Sequence, residues 1–175
     1  MNILLHICCG PCSIYPVKKL REEQHRVRGY FYNPNIHPYT EWKKRLDTLK
    51  EYAEKIDLPL IVDENYELED FLQQVVYREK NRCRICYYMR LLRAAKIAKK
   101  GKFDAFTTTL LVSPFQKHEM IKEIGEEVAE KTGIPFYYQD FRPGFKEATA
   151  ASKEMQMYRQ QYCGCIFSEK ERYCR

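Results

Sequence analysis

The sequence lacks long hydrophobic runs, internal repeats and low-complexity tracts. Its first apolar stretch, residues 3–7, has no basic leader and runs directly into Cys8 and Cys9, so we interpret it as a buried strand and not as a signal peptide. No other apolar run approaches the length of a membrane-spanning helix. These features predict a cytoplasmic protein with no membrane partner.

An obvious interdomain linker is also missing. A chain of 175 residues with 45% hydrophobic content can build one domain with a real core, and it is short for two. We therefore expect a single domain over residues 1–175.

Short apolar runs rich in β-forming residues alternate with amphipathic helical patterns. The runs predict strands at 3–7, 27–32, 60–62, 103–107 and 134–138. Apolar residues at helical spacing predict crossover helices within 42–56 and 120–128, and the C-terminal part is expected to be helical. This alternation predicts an α/β fold, with a mainly parallel, doubly wound sheet covered by helices on both faces.

The motif residues follow the predicted strands. Cys8 and Cys9 end the first strand, Asn33 ends the second, and Thr108 ends the fourth. In a doubly wound sheet, ligands bind beyond the carboxyl ends of the strands where the winding direction reverses. If the first and fourth strands are neighbours, these groups share one crevice.

Eight cysteines are many for a cytoplasmic protein, where thiols stay reduced unless they bind metal or take part in catalysis. Their grouping argues against random scatter. Cys174, near the C-terminus, is expected to be unligated. The other seven fall into three groups, which are Cys8, Cys9 and Cys12, then Cys83 and Cys86, then Cys163 and Cys165.

The first cysteine group lies where a nucleotide-binding protein would carry a glycine-rich loop, but only Gly10 could serve that purpose. A helix N-terminus lowers thiol pKa and favours the thiolate, which is the form that binds metal. Alternatively, Cys12 is a small core residue. The CxxC of Cys83 and Cys86 suits zinc or an iron-sulfur cluster, with a thioredoxin-like redox pair as the alternative.

The CxC of Cys163 and Cys165 is separated by Gly164, which permits the strained backbone that a disulfide between such neighbours requires. Strained disulfides are the labile, catalytic kind. A second pair of metal ligands is the alternative reading.

The four histidines offer one functional candidate. His6 lies within a buried strand and is expected to be a satisfied core residue, whereas His37 lies on a polar loop beyond the second strand. Asp140 and Arg142, past the fifth predicted strand, could reach the crevice as an acid and an anion clamp. Either could instead be a helix cap or a surface pair.

Basic residues are concentrated between positions 78 and 102, within a net charge of +6. Such a face attracts polyanions, although an ordinary solvated helix face would look the same. The arginines expected to contact phosphate are Arg82, Arg84, Arg90 and Arg93.

Five motifs in one order carry a family resemblance. They are LLHICCGPC at 4–12, FYNPNIHP at 31–38, CRIC at 83–86, TTTLLVSP at 107–114 and YCGCIFS at 162–168. Together they resemble the QueH family of epoxyqueuosine reductases. The resemblance implies a Rossmann-like fold and reduction of the epoxide of epoxyqueuosine, at the wobble position of tRNA, to the alkene of queuosine without cobalamin.

The resemblance also assigns roles to the cysteines. Cys163 and Cys165 match a redox-active pair, and four others match the ligands of a 4Fe-4S cluster, namely Cys8, Cys9, Cys83 and Cys86. Spacing alone favours Cys9 with Cys12, because adjacent thiols rarely ligate one cluster easily. A second metal ion, iron or zinc, is therefore expected at Cys8 or Cys12.

Aromatic residues near the crevice, Tyr32 and Tyr162, are expected to stack on the base. Two other functions would share some of these features. A zinc-stabilised tRNA-binding module would use the charge and four cysteines, but it would leave Cys163 and Cys165 idle. A nucleotide-binding enzyme of the tRNA thiolation type should carry a pyrophosphate loop, which is absent here.

Overall fold

The computed structural model describes residues 1–174, which form four strands, seven α-helices and three short 3-10 helices. The strands are β1 (Asn2–His6), β2 (Arg26–Phe31), β3 (Leu60–Val62) and β4 (Ala105–Thr108). The α-helices are α1 (Gly10–Glu22), α2 (Tyr39–Lys55), α3 (Leu68–Val75), α4 (Arg82–Lys100), α5 (His118–Thr132), α6 (Phe145–Glu154) and α7 (Ile166–Tyr173). The 3-10 helices are Glu79–Asn81, Thr109–Val112 and Arg142–Gly144.

The sheet is parallel, in the order β3-β2-β1-β4. The chain winds outward from β1 through β2 to β3, and then returns to place β4 on the other side of β1. This reversal is the topological switch point of a doubly wound sheet. The predicted α/β fold and the predicted neighbourhood of the first and fourth strands are both confirmed.

Helices cover both faces of this sheet. Three consecutive residues of β1, Ile3, Leu4 and Leu5, are fully buried, as expected for a strand packed on both sides. Helix α1 packs on α2, and α4 packs on α5. Right-handed crossovers place these two pairs on opposite faces. Within residues 1–174, no helix combines the length and apolar character needed to cross a membrane.

The fifth predicted strand, residues 134–138, is wrong. This segment makes only an isolated bridge between Phe136 and Phe106. The Phe106 amide donates to the Pro135 carbonyl at 3.0 Å, and the Tyr137 amide donates to the Phe106 carbonyl at 2.8 Å. Pro135 itself has no amide hydrogen to extend the ladder. Hydrophobic pattern alone therefore overestimated the length of this edge segment.

Close packing at the start of α1 sets the position of the first cysteine group. A Cβ at Gly10 would lie 2.7 Å from the Met157 methyl carbon and 3.1 Å from Cγ2 of Thr48 on α2. Only glycine therefore lets α1 begin so close to α2. Gly10 serves helix packing here, and cysteines occupy the position where a nucleotide-binding protein would carry a glycine-rich loop.

Gly125 in α5 provides a test of how tightly the edge segment packs. A Cβ there would lie 2.3 Å from a ring carbon of Phe136. Alanine improves helix propensity by about 1 kcal/mol, but overpacking costs about 1–3 kcal/mol. We predict that Gly125→Ala lowers the free energy of unfolding by about 1 kcal/mol, measured by urea denaturation.

The matched control is the same substitution in a Phe136→Ala background, where the ring is absent. There Gly125→Ala should be neutral or stabilising. A stabilising effect in the wild-type background would contradict the packing argument.

Candidate active site

A cavity of about 530 Å³ opens at the carboxyl ends of β1 and β4. Cys8, two residues beyond β1, and Thr109, directly after β4, both line it. The Cys8 amide donates to the Thr109 hydroxyl at 3.1 Å, which ties the two strand ends together. The crevice predicted at the switch point is therefore present, and its walls also include Cys12 and Cys163.

Three cysteines at the start of α1 lie close enough to hold one metal ion. Cys9 is the residue that precedes the helix and Cys12 lies in its first turn, so both thiols turn back towards Cys8. The three sulfurs lie within 4.8 Å of one another. In residues 1–174, no other three potential ligand side chains come as close. This arrangement agrees with the spacing argument that paired Cys9 with Cys12.

The three thiols of this triad differ in the direction of their pKa shifts. Hydrogen bonds from Cys12 and Cys9 hold the pKa of Cys8 well below its usual range, and the Arg90 charge adds to this effect. Burial raises the pKa of Cys9, while the hydrogen bond to Cys8 raises that of Cys12. The triad therefore favours one thiolate with two protonated neighbours. A bound metal ion would displace those protons.

The other two cysteine groups meet each other in a second cluster, beside Arg90 of α4. Cys86 in α4 and Cys165 are both buried in one apolar cluster with Phe71 and Val75. Burial raises the pKa of Cys86 to about 12, and nearby charges on Cys163 and Cys165 act in the same direction. Cys83, one turn earlier, is half-buried.

Arg90 links the two sets of thiols. Its side chain is 2% exposed and donates to Asn33 Oδ1 at 2.7 Å and to Cys86 Sγ at 3.7 Å, with no carboxylate partner in the described chain. Burial would lower the pKa of Arg90, but negative charge on Cys86 and Cys8 raises it. A buried cation requires an anion nearby. The Cys8 thiol, whose pKa lies well below its usual range, is the group placed to supply it.

The side-chain amide of Asn35 is a second buried polar group of interest. Both side-chain polar atoms of Asn35 are fully buried, and neither has a hydrogen-bond partner among residues 1–174. A Cβ at Gly164 would lie 3.2 Å from Asn35 Nδ2, so this amide lies against the CxC segment. An unpaired buried donor costs about 1–3 kcal/mol. The orphaned amide, the buried arginine and the clustered thiols together fit a thiolate-bound metal group.

Arg45 and Glu41 hold the CxC segment in place. Arg45 is 1% exposed, and its Nε donates to Glu41 Oε1 at 2.7 Å. Its other nitrogens donate to the carbonyls of Tyr162 and Cys163, both at 2.9 Å. Gly164 has a φ of +139°, where a side chain would be strained. The sequence signal for this pair was only an ordinary i,i+4 charge pair, which is common on surface helices.

The two cysteines of the CxC turn in different directions. Cys163 is exposed and lines the pocket, where Gln116 Nε2 donates to its sulfur at 3.7 Å. Tyr87 orients Gln116 by donating to its Oε1 at 2.7 Å. Cys165 faces the buried cluster, and all eight cysteines are free thiols.

The two histidines considered from the sequence, His6 and His37, are both buried. His6 is fully buried and satisfied by the Thr108 hydroxyl at 2.9 Å and the Tyr32 carbonyl at 3.1 Å, as predicted for a core residue. His37, which was the better functional candidate, does not line the crevice. It is buried, bonded to the Pro34 carbonyl at 3.0 Å, and accepts a hydrogen bond from the Ile166 amide. It anchors the start of α7.

Three other candidates lie away from the pocket. Tyr32 is buried and donates to Glu67 at 2.8 Å, so it cannot stack on a base. Asp140 and Arg142 pair with each other at 2.7 Å and do not line the cavity. Tyr162 does line it, as predicted, although its hydroxyl donates to the His37 carbonyl.

The predicted arginine face is largely neutralised. The prediction is wrong for Arg90, which is buried. The other three arginines form ion pairs with carboxylates. Arg82 pairs with Glu171 at 2.5 Å and Arg93 with Asp63 at 2.9 Å. Arg84 pairs with Glu123 at 3.0 Å and with Glu127 at 3.1 Å. Charge counting along the sequence could not detect partners that are 30 to 89 residues away.

Comparison with known proteins identifies the family. A family model described as epoxyqueuosine reductase QueH matches residues 3–171. Curated proteins with that name include one from Dehalococcoides mccartyi, 37% identical over 98% of this chain and 94% of that protein. Another, from Thermotoga maritima, is 35% identical over 98% of this chain and 92% of that protein.

A solved structure supports the fold independently. It is described as a predicted subunit of tRNA methyltransferase from Methanocaldococcus jannaschii, with a TM-score of 0.56 and 10% identity over 87% of this chain and 75% of that one. At this identity the likeness concerns the fold alone. The family model and the curated relatives, in contrast, span nearly the whole sequence. This chain belongs to the epoxyqueuosine reductase QueH family.

Proposed function

We propose that this chain reduces the epoxide of epoxyqueuosine in tRNA to the alkene of queuosine, as an oxidoreductase that does not use cobalamin. The observation that carries the proposal is the pocket at the switch point, where thiols from two distant segments, Cys8 and Cys12 on one side and Cys163 on the other, face one cavity. A pocket lined with thiols suits a reductase better than a simple binding module.

The reaction consumes two electrons and two protons, and it releases the epoxide oxygen as water. A pair of cysteine thiols that closes to a disulfide releases two electrons and two protons, which balances this demand. In the proposal, Cys163 and Cys165 form that pair and an external reductant restores the thiols. Cys163 lies at the pocket, while Cys165 must turn from the buried cluster to meet it.

The proposed cofactor is a 4Fe-4S cluster with Cys8, Cys9, Cys83 and Cys86 as ligands. Such a cluster supplies one-electron transfer when bound. Support comes from the buried Arg90 side chain, which interacts electrostatically with both Cys8 and Cys86, so thiols from two of the cysteine groups lie near one cation.

A second metal ion, iron or zinc, is proposed at Cys8 or Cys12, at whichever of these two thiols does not ligate the cluster. When bound, it would supply Lewis-acid polarisation of the epoxide oxygen. The close triad of sulfurs supports this proposal. Gln160 also contacts this site, because its Nε2 donates to Cys12 Sγ at 3.4 Å.

The residues of the chain itself provide orientation and protons. No Asp, Glu or His side chain is among the described residues that line the pocket. The Tyr162 hydroxyl already donates to the His37 carbonyl. The Cys163 thiol is therefore the proposed proton donor to the opening oxygen, with the Gln116 amide holding its sulfur in position.

The two other functions considered from the sequence would look different in solution. Anaerobically purified protein should be brown, contain iron and sulfide, and convert epoxyqueuosine in tRNA to queuosine in a mass-spectrometric nucleoside assay. A colourless zinc protein would reject the cluster. A metal-loaded protein that leaves the epoxide intact with a low-potential reductant would reject the reductase assignment.

The first test concerns the cluster ligands. We predict that Cys86→Ser loses most of its iron and sulfide and becomes less stable to heat, because metal binding and folding are coupled. Iron and sulfide content and the melting temperature measure this. Cys174→Ser removes an exposed thiol outside the proposed ligand set and is the matched control. Full iron and sulfide content in Cys86→Ser would contradict the ligand assignment.

The second test separates turnover from assembly. We predict that Cys163→Ser retains its iron and sulfide, since this thiol lies outside the proposed ligands, but loses at least about 100-fold in turnover, the scale of a lost proton donor. Turnover is followed on tRNA carrying epoxyqueuosine, with Cys174→Ser again as control. Loss of the cluster in Cys163→Ser would instead make this cysteine a structural ligand.

A further inference from the structure

Phe115 is an exposed aromatic side chain at the mouth of the pocket. It lies in the loop between β4 and α5, lines the cavity and is 83% exposed. Its ring meets that of Phe145 in a T-shaped contact, with centroids 5.8 Å apart, so the ring is braced on one side although most of its surface is exposed. Its neighbour Gln116 contacts the sulfur of Cys163.

Apart from the thiols, the charged side chains that line the pocket are all cations. Four arginines line it, and no carboxylate does so among the described residues. Arg45 and Arg90 are buried and already committed to internal partners. Arg159 and Arg172, in contrast, form no ion pair with any of residues 1–174. They are the cations at this site that are available to an anionic ligand.

The size of the cavity limits what can enter. A volume of about 530 Å³ suits a single nucleotide and excludes a duplex. Single-stranded RNA is commonly held by an aromatic ring that stacks on a base and by arginines that contact the adjoining phosphates. Phe115, Arg159 and Arg172 supply both elements at one opening.

We propose that Phe115 is the stacking platform for the modified base of an unpaired tRNA nucleotide, and that Arg159 and Arg172 contact its flanking phosphates. This inference rests on the proposed reductase function. The epoxide ring is a substituent on the base, so when it reaches the thiols the base itself remains nearer the mouth, where Phe115 lies. The three residues thus bind and position the substrate, and they take no part in electron transfer.

The stacking role is tested with the anaerobic holoprotein and tRNA carrying epoxyqueuosine. Phe115→Ala should weaken binding about 5- to 150-fold, the range for one lost base-aromatic stack, and raise KM by a similar factor with kcat little changed. Phe115→Tyr should bind as wild type does. Tyr77→Ala removes a ring that is 94% exposed but outside the pocket, and it should have no effect.

The phosphate contacts are tested by the salt dependence of the same binding. Each phosphate contact on single-stranded RNA contributes about 0.7 to the slope of log K against log salt. Arg159→Gln with Arg172→Gln should therefore reduce the slope by about 1.4. Arg84→Gln is the matched control, because Arg84 already pairs with Glu123 and Glu127.

The outcomes distinguish this inference from the function on which it rests. If wild type binds the tRNA and reduces the epoxide while Phe115→Ala binds equally well, the platform is wrong and the reductase assignment stands. An unchanged salt slope in the double arginine variant likewise rejects the phosphate contacts alone. If wild type neither binds the tRNA nor reduces the epoxide, the proposed function fails and this inference fails with it.

Discussion

The parallel pairing of β1 with β4 is the constraint on which the rest of the site depends. Because the strands run in the same direction, both end at one edge of the sheet, and the chain returning from β3 leaves an opening there. Cys8 and Thr109 are brought together at that edge although 101 residues separate them in the sequence. Helix α1 then begins directly after the strand and folds Cys9 and Cys12 back towards Cys8. A thiol triad at the switch point takes the place of the phosphate loop that many doubly wound folds carry there.

Two buried arginines organise the remainder of the site in different ways. Arg45 is neutralised by Glu41 and uses its remaining donors on the backbone carbonyls of the CxC segment, so it positions Cys163 without depending on any bound group. Arg90 has no carboxylate partner within residues 1–174, and the Cys8 thiol, whose pKa is held low by hydrogen bonds from Cys12 and Cys9, is the group placed to supply its counter-charge. Burying an uncompensated cation is costly, so the fold and the charge state of the cysteines are coupled. A thiolate-bound metal group at this position would complete the charge balance that the protein alone leaves open.

These arrangements explain why some residues that the sequence marked as functional candidates have a different place in the structure. His37 and Tyr32 lie in the FYNPNIHP motif and Arg90 lies in the basic stretch of α4, and all three side chains are buried. Their polar atoms form hydrogen bonds with other residues of the chain, which are Glu67 for Tyr32, Pro34 for His37 and Asn33 for Arg90. Phe115, Arg159 and Arg172, which do line the pocket, stood out much less in the sequence, since a lone aromatic residue and scattered arginines are common on protein surfaces.

The sequence by itself determined the α/β class, the strands β1 to β4 within one or two residues, the grouping of the cysteines and the family resemblance, because these depend on local hydrophobic pattern and on motif spacing. The tertiary structure alone decided which cysteines meet. It joined Cys86 to Cys165 and oriented Cys163 to the cavity, since distances between remote segments depend on packing. It also showed that residues 134–138 contribute one bridge, and that the arginines of α4 are paired or buried. Burial and pairing partners are properties of the folded chain, and no periodicity in the sequence encodes them directly.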